Sequence, residues 1–168
     1  MHSTIYTQDH IHQEQEEILV RPVSREDEEG LREMLSRLSQ KSVHLRFHAP
    51  FPRAPEWAAA MFANSDRRGE SLVAVANGEI VGHAMYVRLD GGDRAEFAIV
   101  VEDGYQSRGI GRLLLSSLAE EARREGLKTF TGSVLVENWR MLGLLRSVFA
   151  RVGYALEDIS YEVSAPLP

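Results

Sequence analysis

The 168-residue sequence predicts one mixed α+β domain, in which a mostly antiparallel β-sheet is flanked by helices. Three observations support this fold class. A two-residue turn at Asn77-Gly78 joins two apolar stretches that alternate as strands do. A third strand, from Ala95 to Val101, leads through a polar loop into a long amphipathic helix. Helix-like and strand-like segments continue to alternate after it, so we expect the helices to pack on the faces of the sheet.

The sheet is predicted to begin early in the chain. Ile18 to Val23 is apolar and strand-like, and Ser24 then stands three residues before Asp27, a spacing typical of a helix N-cap. Leucine and methionine recur at helical spacing from Leu31 to Leu38. The segments that follow are a polar stretch at 39–48, a proline-rich loop at 50–55 and a short alanine-rich helix at 56–64.

Further elements are predicted after the long helix. Gly126 follows its last turn, where glycine is favoured because the backbone often adopts a positive φ. A strand is predicted from Lys128 to Leu135, a helix from Glu137 to Val152, and a final strand-like stretch from Tyr154 to Val163. The order agrees with a sheet that carries helices on its faces.

Composition limits the classes of function. The chain has no cysteine, which excludes disulfides, thiolate metal sites and a covalent acyl-cysteine intermediate. Its formal net charge of −6 argues against nucleic acid as the main partner and leaves room for a cationic substrate. No apolar stretch approaches the ~20 residues of a membrane span, and no signal peptide opens the sequence, so we expect a cytoplasmic protein. Residues 1–17 are polar and are predicted to form a flexible tail before the domain at 18–168.

The chemistry is predicted where the strand from Ala95 to Val101 meets the long helix. The first N–H groups of a helix have no partner within it, and the helix dipole makes that end attractive to anions. Gly109 and Gly111 would let a phosphate approach the backbone closely, and Arg108 and Arg112 would add positive charge. These residues also fit a simple strand-to-helix turn without a ligand.

Two common phosphate-binding motifs do not match this loop. A dinucleotide fingerprint requires a third glycine three residues after the second, and that position holds Leu114. A P-loop requires Gly-Lys followed by Ser or Thr, which is absent. A dinucleotide or nucleoside triphosphate is therefore not the predicted ligand.

The loop from Gln106 to Gly111 instead resembles the acyl-CoA-binding signature Gln/Arg-x-x-Gly-x-Gly/Ala of the GNAT N-acetyltransferase superfamily. The resemblance extends over about Ile18 to Val163, and Leu45-Arg46-Phe47 is similar to a helix in the GNAT domains of bacterial protein-lysine acetyltransferases. It implies a sheet splayed at the cofactor strand and acetyl-CoA as cosubstrate. The residues implied to bind it are Ile99, Val100, Val101, Gln106, Ser107, Arg108, Gly109, Ile110, Gly111, Arg112 and Asn138.

The implied reaction is direct transfer of the acetyl group to a primary amine, either a protein lysine or a small amine, in a ternary complex. A homodimer is left open. The same fold could also serve as a non-catalytic acyl-CoA-binding regulatory domain. The sequence does not decide the acceptor.

Glu96 is the candidate catalytic base. An amine with a pKa near about 10.4 is almost fully protonated at neutral pH, so an acetyltransferase must help to remove a proton. Glu96 is a charged residue in an otherwise apolar strand, where burial would make it a stronger proton acceptor. Alternatively, it is exposed and pairs with Arg88 or Arg94. The resemblance supports the base, acting through a bound water, since related protein acetyltransferases carry a catalytic glutamate at this position.

Other polar residues near the motif have weaker assignments. Glu102 and Asp103 are secondary candidates for the base, or else favour the N-terminus of the following helix. In many family members a tyrosine seven residues after the asparagine matched by Asn138 protonates the CoA thiolate, but here that position is Leu145. We therefore expect water to protonate the thiolate, or the thiolate to leave unassisted. Asn138 itself is expected to contact pantetheine or to cap its helix.

Histidines spaced four residues apart, as His44 and His48 are, can hold a metal on one helix face. No third ligand or glutamate base accompanies them. We therefore predict surface or packing histidines and no metal site.

Overall fold

The computed structural model describes residues 16–49, 51, 53–64 and 68–168. In this part of the chain, one sheet contains seven strands in the order β1-β2-β3-β4-β5-β7-β6. The strands are β1 (Ile18–Pro22), β2 (Gly69–Ala76), β3 (Glu79–Arg88), β4 (Arg94–Val101), β5 (Thr129–Leu135), β6 (Gly153–Glu157) and β7 (Ser160–Pro166). The α-helices are α1 (Glu28–Arg37), α2 (Gln40–Phe47), α3 (Trp57–Ala63), α4 (Ile110–Arg124) and α5 (Trp139–Val148).

The first four strands pair in sequence and run antiparallel. The turn between β2 and β3 has positive φ at both central residues, 49° at Asn77 and 77° at Gly78, as expected for a two-residue hairpin turn. The hairpin predicted from these two residues is confirmed.

The strands β4 and β5 run parallel and pair over only three positions, the last of which joins Glu96 to Thr131. On its other edge β4 stays paired with β3 until Val101 lies opposite Gly82. Beyond Glu96, β4 therefore has a neighbouring strand on one side only. This opening in the sheet is the splay that the family resemblance implies.

Each face of the sheet is covered by its own group of helices. On one face α4 contributes Leu114, Leu115 and Leu118, which are fully buried in a cluster that includes Phe97 and Ile99 of β4. On the other face Phe62 of α3 is fully buried in a cluster with α1 and Val100 of β4. The alternation of β4 thus sends neighbouring side chains to opposite cores.

Local signals at helix ends are largely confirmed. The Ser24 amide donates to Asp27 Oδ2 at 2.8 Å, and the first regular turn begins there. Gly126 follows α4 with a φ of 82°. No helix within the described ranges has the length and apolar character needed to cross a membrane.

The structure corrects two predictions near the C-terminus. The helix expected to reach Val152 ends at Val148, because Phe149 is extended and its ring packs in the core, 6.3 Å from the ring centroid of Phe130. The single strand expected from Tyr154 to Val163 is a hairpin of β6 and β7. Asp158 makes its turn with a φ of 55°, a conformation that aspartate tolerates better than most residues do.

Candidate active site

A cavity of about 480 Å³ lies where β4 and β5 separate. One wall is the strand β4 from Phe97 to Val101, and the loop before α4 continues from it. The helices α2 and α5 and the end of β5 supply the remaining walls. The cavity therefore includes both the unpaired edge of β4 and the N-terminus of α4.

The start of α4 presents backbone amides without helical partners. The first hydrogen bond of the helix runs from the Leu113 amide to the Gly109 carbonyl at 3.1 Å, so the amides of Ile110, Gly111 and Arg112 precede it. Gly109 has a φ of 84°, which explains glycine at this position. A Cβ on Gly111 would lie 3.2 Å from Leu144 Cδ2, so glycine is also favoured there by space.

Most of the predicted cofactor residues line the cavity, but two side chains do not. The Ile110 side chain is buried in the core, so only its backbone can face a ligand. The Arg108 guanidinium lies 5.0 Å from the Tyr105 ring centroid and pairs with Glu16 at 3.4 Å. Those that line the cavity are Ile99, Val100, Val101, Gln106, Ser107, Gly109, Gly111, Arg112 and Asn138.

Gln106 connects three walls of the cavity. Its Nε2 donates to the Val101 carbonyl at 3.0 Å and to Ser42 Oγ at 3.2 Å. Its Oε1 accepts a hydrogen bond from Arg140 of α5 at 2.6 Å. The first residue of the motif therefore holds the end of β4, the helix α2 and the helix α5 around the cavity.

The model of the Acetyltransferase (GNAT) family matches residues 31–148, which include most of α1, the whole of α2 to α5 and the loop before α4. The chain belongs to the GNAT acetyltransferase family. The chain is similar to acetyltransferase PA5475 of Pseudomonas aeruginosa, to which it is 30% identical over 117 residues. That match covers 66% of this chain and 62% of the Pseudomonas protein, so the chain spans less than two thirds of the length of that relative.

Solved structures agree with this family. The GNAT domain of S. lividans PAT has a TM-score of 0.80 and 29% identity, over 88% of this chain and 89% of that one. Spermidine N-acetyltransferase from Vibrio cholerae, solved with CoA and spermine, has a TM-score of 0.69 and 15% identity, over 89% of this chain and 95% of that one. The second likeness supports the fold alone.

In this GNAT domain Glu96 is exposed, so its expected burial is wrong, and it directly precedes Phe97, with which the β4 wall of the cavity begins. It occupies the last paired position of β4, directly before the opening, where its side chain stays open to solvent. Neither alternative partner, Arg88 or Arg94, forms an ion pair with it among the described residues. Its negative charge acts instead on Arg46 and His48 of the neighbouring wall.

The GNAT domain's α2 wall contains residues that the sequence analysis did not select for the site: Ser42, Leu45, Arg46 and His48. Burial lowers the pKa of Arg46 to about 10, although the negative charge of Glu96 acts to raise it. Partial burial also lowers the pKa of His48, and Arg46 and His44 act in the same direction. The Leu-Arg-Phe similarity pointed to this helix but did not show which side chain faces the cavity.

The remaining polar candidates serve mainly as structural contacts. His44 pairs with Glu137 at 3.0 Å, and no group of three or more potential metal ligands occurs in the described part of the chain. Glu102 pairs with Arg37 of α1 at 3.1 Å. Asn138 caps α5, since its Oδ1 accepts the Met141 amide at 3.2 Å.

Leu145, at the position where related proteins carry a tyrosine, is fully buried. This position therefore offers no proton donor to the cavity. The neighbouring turn brings no replacement, because Phe149 is also buried in the core.

Proposed function

We propose that this GNAT domain transfers an acetyl group from acetyl-CoA to a primary amine within a ternary complex. One observation carries the proposal: a single cavity joins the amides at the start of α4, the unpaired edge of β4 and the α2 wall. The amides from Ile110 to Arg112 suit the CoA diphosphate, and the Arg112 and Arg140 side chains add positive charge. CoA in the Vibrio cholerae structure of the same fold supports this cosubstrate.

The free edge of β4 would position the acyl arm. An amide-bearing pantetheine chain can hydrogen-bond to the backbone of Ile99 and Val101 as an added strand does. The thioester would then lie beside Ala98, one pleat from Glu96 on the same face. The end of β5 cannot compete for these backbone groups, because its pairing with β4 stops at Thr131.

The chemical step follows from these positions. Glu96 accepts a proton from the acceptor ammonium through a water, and the neutral nitrogen attacks the thioester carbon. The backbone N–H of Val101, which faces the free edge of β4, stabilises the negative oxygen that forms, whereas that of Val100 faces β3. The carbon–sulfur bond then breaks, and the thiolate takes its proton from water, because Leu145 offers none. With no cysteine in the chain, the acetyl group passes directly to the amine.

A second candidate function is a regulatory domain that binds acyl-CoA without catalysis. The fully buried Leu145 favours it, since that position lacks the acid found in many relatives. The same experiment tests both: the protein is incubated with acetyl-CoA and a panel of amines, peptides and protein lysates, and free thiol is followed. Amine-dependent thiol release above the rate of acetyl-CoA hydrolysis supports transfer. CoA binding by calorimetry without release from any acceptor would identify a binding module.

A further inference from the structure

Arg46 is a half-buried cation that forms no ion pair with a carboxylate within the described part of the chain. Its Nε atom is sealed from solvent and lacks a hydrogen-bond partner, although the side chain lines the cavity. The one polar contact of its NH2 group is with Met85 Sδ at 3.9 Å, and a thioether is a weak acceptor. Removing a charge from water is costly unless the charge is paired, so an anion bound in the cavity would stabilise this guanidinium.

The protein surrounds Arg46 with aromatic rings rather than with carboxylates. Its guanidinium carbon lies 5.0 Å from the ring centroid of Phe47 and 5.1 Å from that of Phe62. Such contacts favour a cation but accept no strong hydrogen bond. The guanidinium is therefore held in place, and its donors other than the sealed Nε remain available to a molecule in the cavity.

Charges of both signs act on this wall. Glu96 acts on Arg46 from β4 without pairing with it, and Arg46 in turn disfavours the cationic forms of His48 and His83. Arg46 gives this wall its positive charge, and two carboxylates lie close enough to act on it: Glu96 on Arg46 and His48, and Glu162 on His48. A lysine side chain or a polyamine would bring only positive charge to it, whereas a molecule with both an amine and a carboxylate would match both signs of charge.

We propose that the acceptor is an amino carboxylate, whose carboxylate pairs with Arg46 while its amine faces Glu96. This inference rests on the acetyl transfer proposed above. Guanidinium and carboxylate groups form paired, charge-assisted hydrogen bonds, which select for the carboxylate. In the reaction the nitrogen–carbon bond forms and the carbon–sulfur bond breaks. The ammonium loses two protons in all, one of which ends on the CoA sulfur and the other in solvent.

The first test compares amino acids of increasing length, each with its own carboxamide, in the thiol-release assay. A lysine-containing peptide is assayed in parallel. We expect kcat/KM of the best carboxylate to exceed that of its carboxamide by about 10- to 100-fold, the range of one charge-assisted contact. Equal use of the two members of each pair would overturn the proposal.

The second test removes the guanidinium. In Arg46→Gln the preference for the carboxylate should disappear, mainly through a higher KM, while turnover of the carboxamide changes little and calorimetry shows the same CoA affinity. Arg46→Lys should recover part of the preference. Arg32→Gln, at an exposed arginine of α1, is the matched control and should keep the wild-type preference. An equal loss of kcat for both acceptors would instead assign Arg46 to the transition state and overturn the proposal.

Folding is checked with Arg46→Met. An apolar side chain removes the unpaired, half-buried charge, so the melting temperature without ligand should equal or exceed that of the wild type. A marked fall in melting temperature would show that Arg46 is needed for the fold itself and would contradict a role reserved for the acceptor.

The outcomes separate this inference from the function on which it rests. Acetylation of amines without any preference for a carboxylate would leave the proposed transfer standing and remove only the amino carboxylate. CoA binding without acetylation of any amine would remove the proposed transfer, and the acceptor with it.

Discussion

Asp103 holds the N-cap residue of α2: its carboxylate accepts the Ser39 amide at 2.9 Å and the Ser39 hydroxyl at 2.6 Å. Ser42 adds a third hydrogen bond at 3.0 Å. Burial acts to raise the pKa of Asp103, but these hydrogen bonds outweigh it and hold the pKa below its usual value. The wall that carries Arg46 is thereby attached to the loop that precedes the glycines of α4.

Replacing this carboxylate should loosen the α2 wall. We expect Asp103→Ala to lower the free energy of unfolding by about 1–2 kcal/mol and to raise KM for the amine more than it weakens CoA binding. Urea unfolding and steady-state kinetics measure the two effects. Asp93→Ala is the control, because Asp93 is half-exposed and pairs with Lys128 only at 3.4 Å.

The same variant has a pH signature. A carboxyl group whose pKa is lowered by folding contributes stability above its unfolded pKa, and that contribution is lost as the pH falls through the folded value. The stabilities of wild type and Asp103→Ala should therefore converge below about pH 4. A difference that stays constant from pH 7 to pH 3 would contradict this role of the charge.

His83 is expected to make the fold sensitive to mild acid. Ser71 Oγ donates to the Phe62 carbonyl at 3.2 Å, so it accepts a hydrogen bond from His83 Nε2 at 2.5 Å. Burial, with Arg46 nearby, lowers the pKa of His83 well below its ordinary value. In mild acid the unfolded chain therefore binds a proton at His83 that the folded protein does not bind. As the pH falls below about 6.5, the free energy of unfolding should decrease by up to about 1.4 kcal/mol per pH unit.

Urea unfolding at pH 7.5, 6.5 and 5.5 measures this slope. His83→Gln should be less stable at pH 7.5 but should lose less stability on acidification. Ser71→Ala, which keeps the imidazole, should retain most of the slope. If His83→Gln lost stability with acid as steeply as the wild type does, His83 would not be the group responsible.

Gly111→Asp tests the proposed binding of the CoA diphosphate by the backbone amides at the start of α4. Its Cβ would press on Leu144 and its carboxylate would add negative charge near the proposed diphosphate, so we expect CoA affinity to fall about 10- to 100-fold in calorimetry. The helix should still form, because aspartate suits a helix N-terminus. Gly104→Asp adds the same charge to the same loop, with no atom within 4 Å of its Cβ, and should bind CoA nearly as the wild type does. Undiminished CoA binding by Gly111→Asp would exclude a diphosphate site at the start of α4.

Glu96→Gln tests the proton acceptor. We expect kcat to fall about 10²- to 10⁴-fold with CoA affinity nearly unchanged. Glu79→Gln, an exposed glutamate at the start of β3, is the control and should be fully active. Full turnover in Glu96→Gln would move the role to another group. His48 is the next candidate, because its lowered pKa keeps it neutral at pH 7.

Glu16 should weaken CoA binding through Arg108. The Glu16 carboxylate pairs with Arg108 at 3.4 Å and accepts the Tyr105 hydroxyl at 3.0 Å, next to the loop proposed to hold the diphosphate. Glu16→Gln should free the guanidinium and tighten CoA binding about two- to fivefold at low salt, within the range of an exposed ion pair. The gain should vanish in an Arg108→Gln background. An equal gain there would show that the ion pair is not its cause.

Glu16 also belongs to the tail that the sequence predicted to be flexible at 1–17. Residues 1–15 lie outside the described part of the chain, whereas Glu16 makes the contacts above. Polar composition predicted a lack of core packing there. It could not show that one carboxylate would meet a tyrosine and an arginine about 90 positions later.

The sequence by itself determined the elements whose signals are local: the Asn77-Gly78 turn, the alternation of β4, and the glycine-bearing loop at the start of α4. Turn geometry, strand alternation and unpaired helix amides depend on neighbours a few positions away, so they can be read from a short stretch. The tertiary structure alone decided which side chains share the cavity. The Ser39–Asp103 contact spans 64 positions, Glu96 proved exposed, and Arg46 was left half-buried without a carboxylate partner. These features depend on how α2 packs against the splayed sheet. They involve residues far apart in the sequence, so a local pattern cannot predict them.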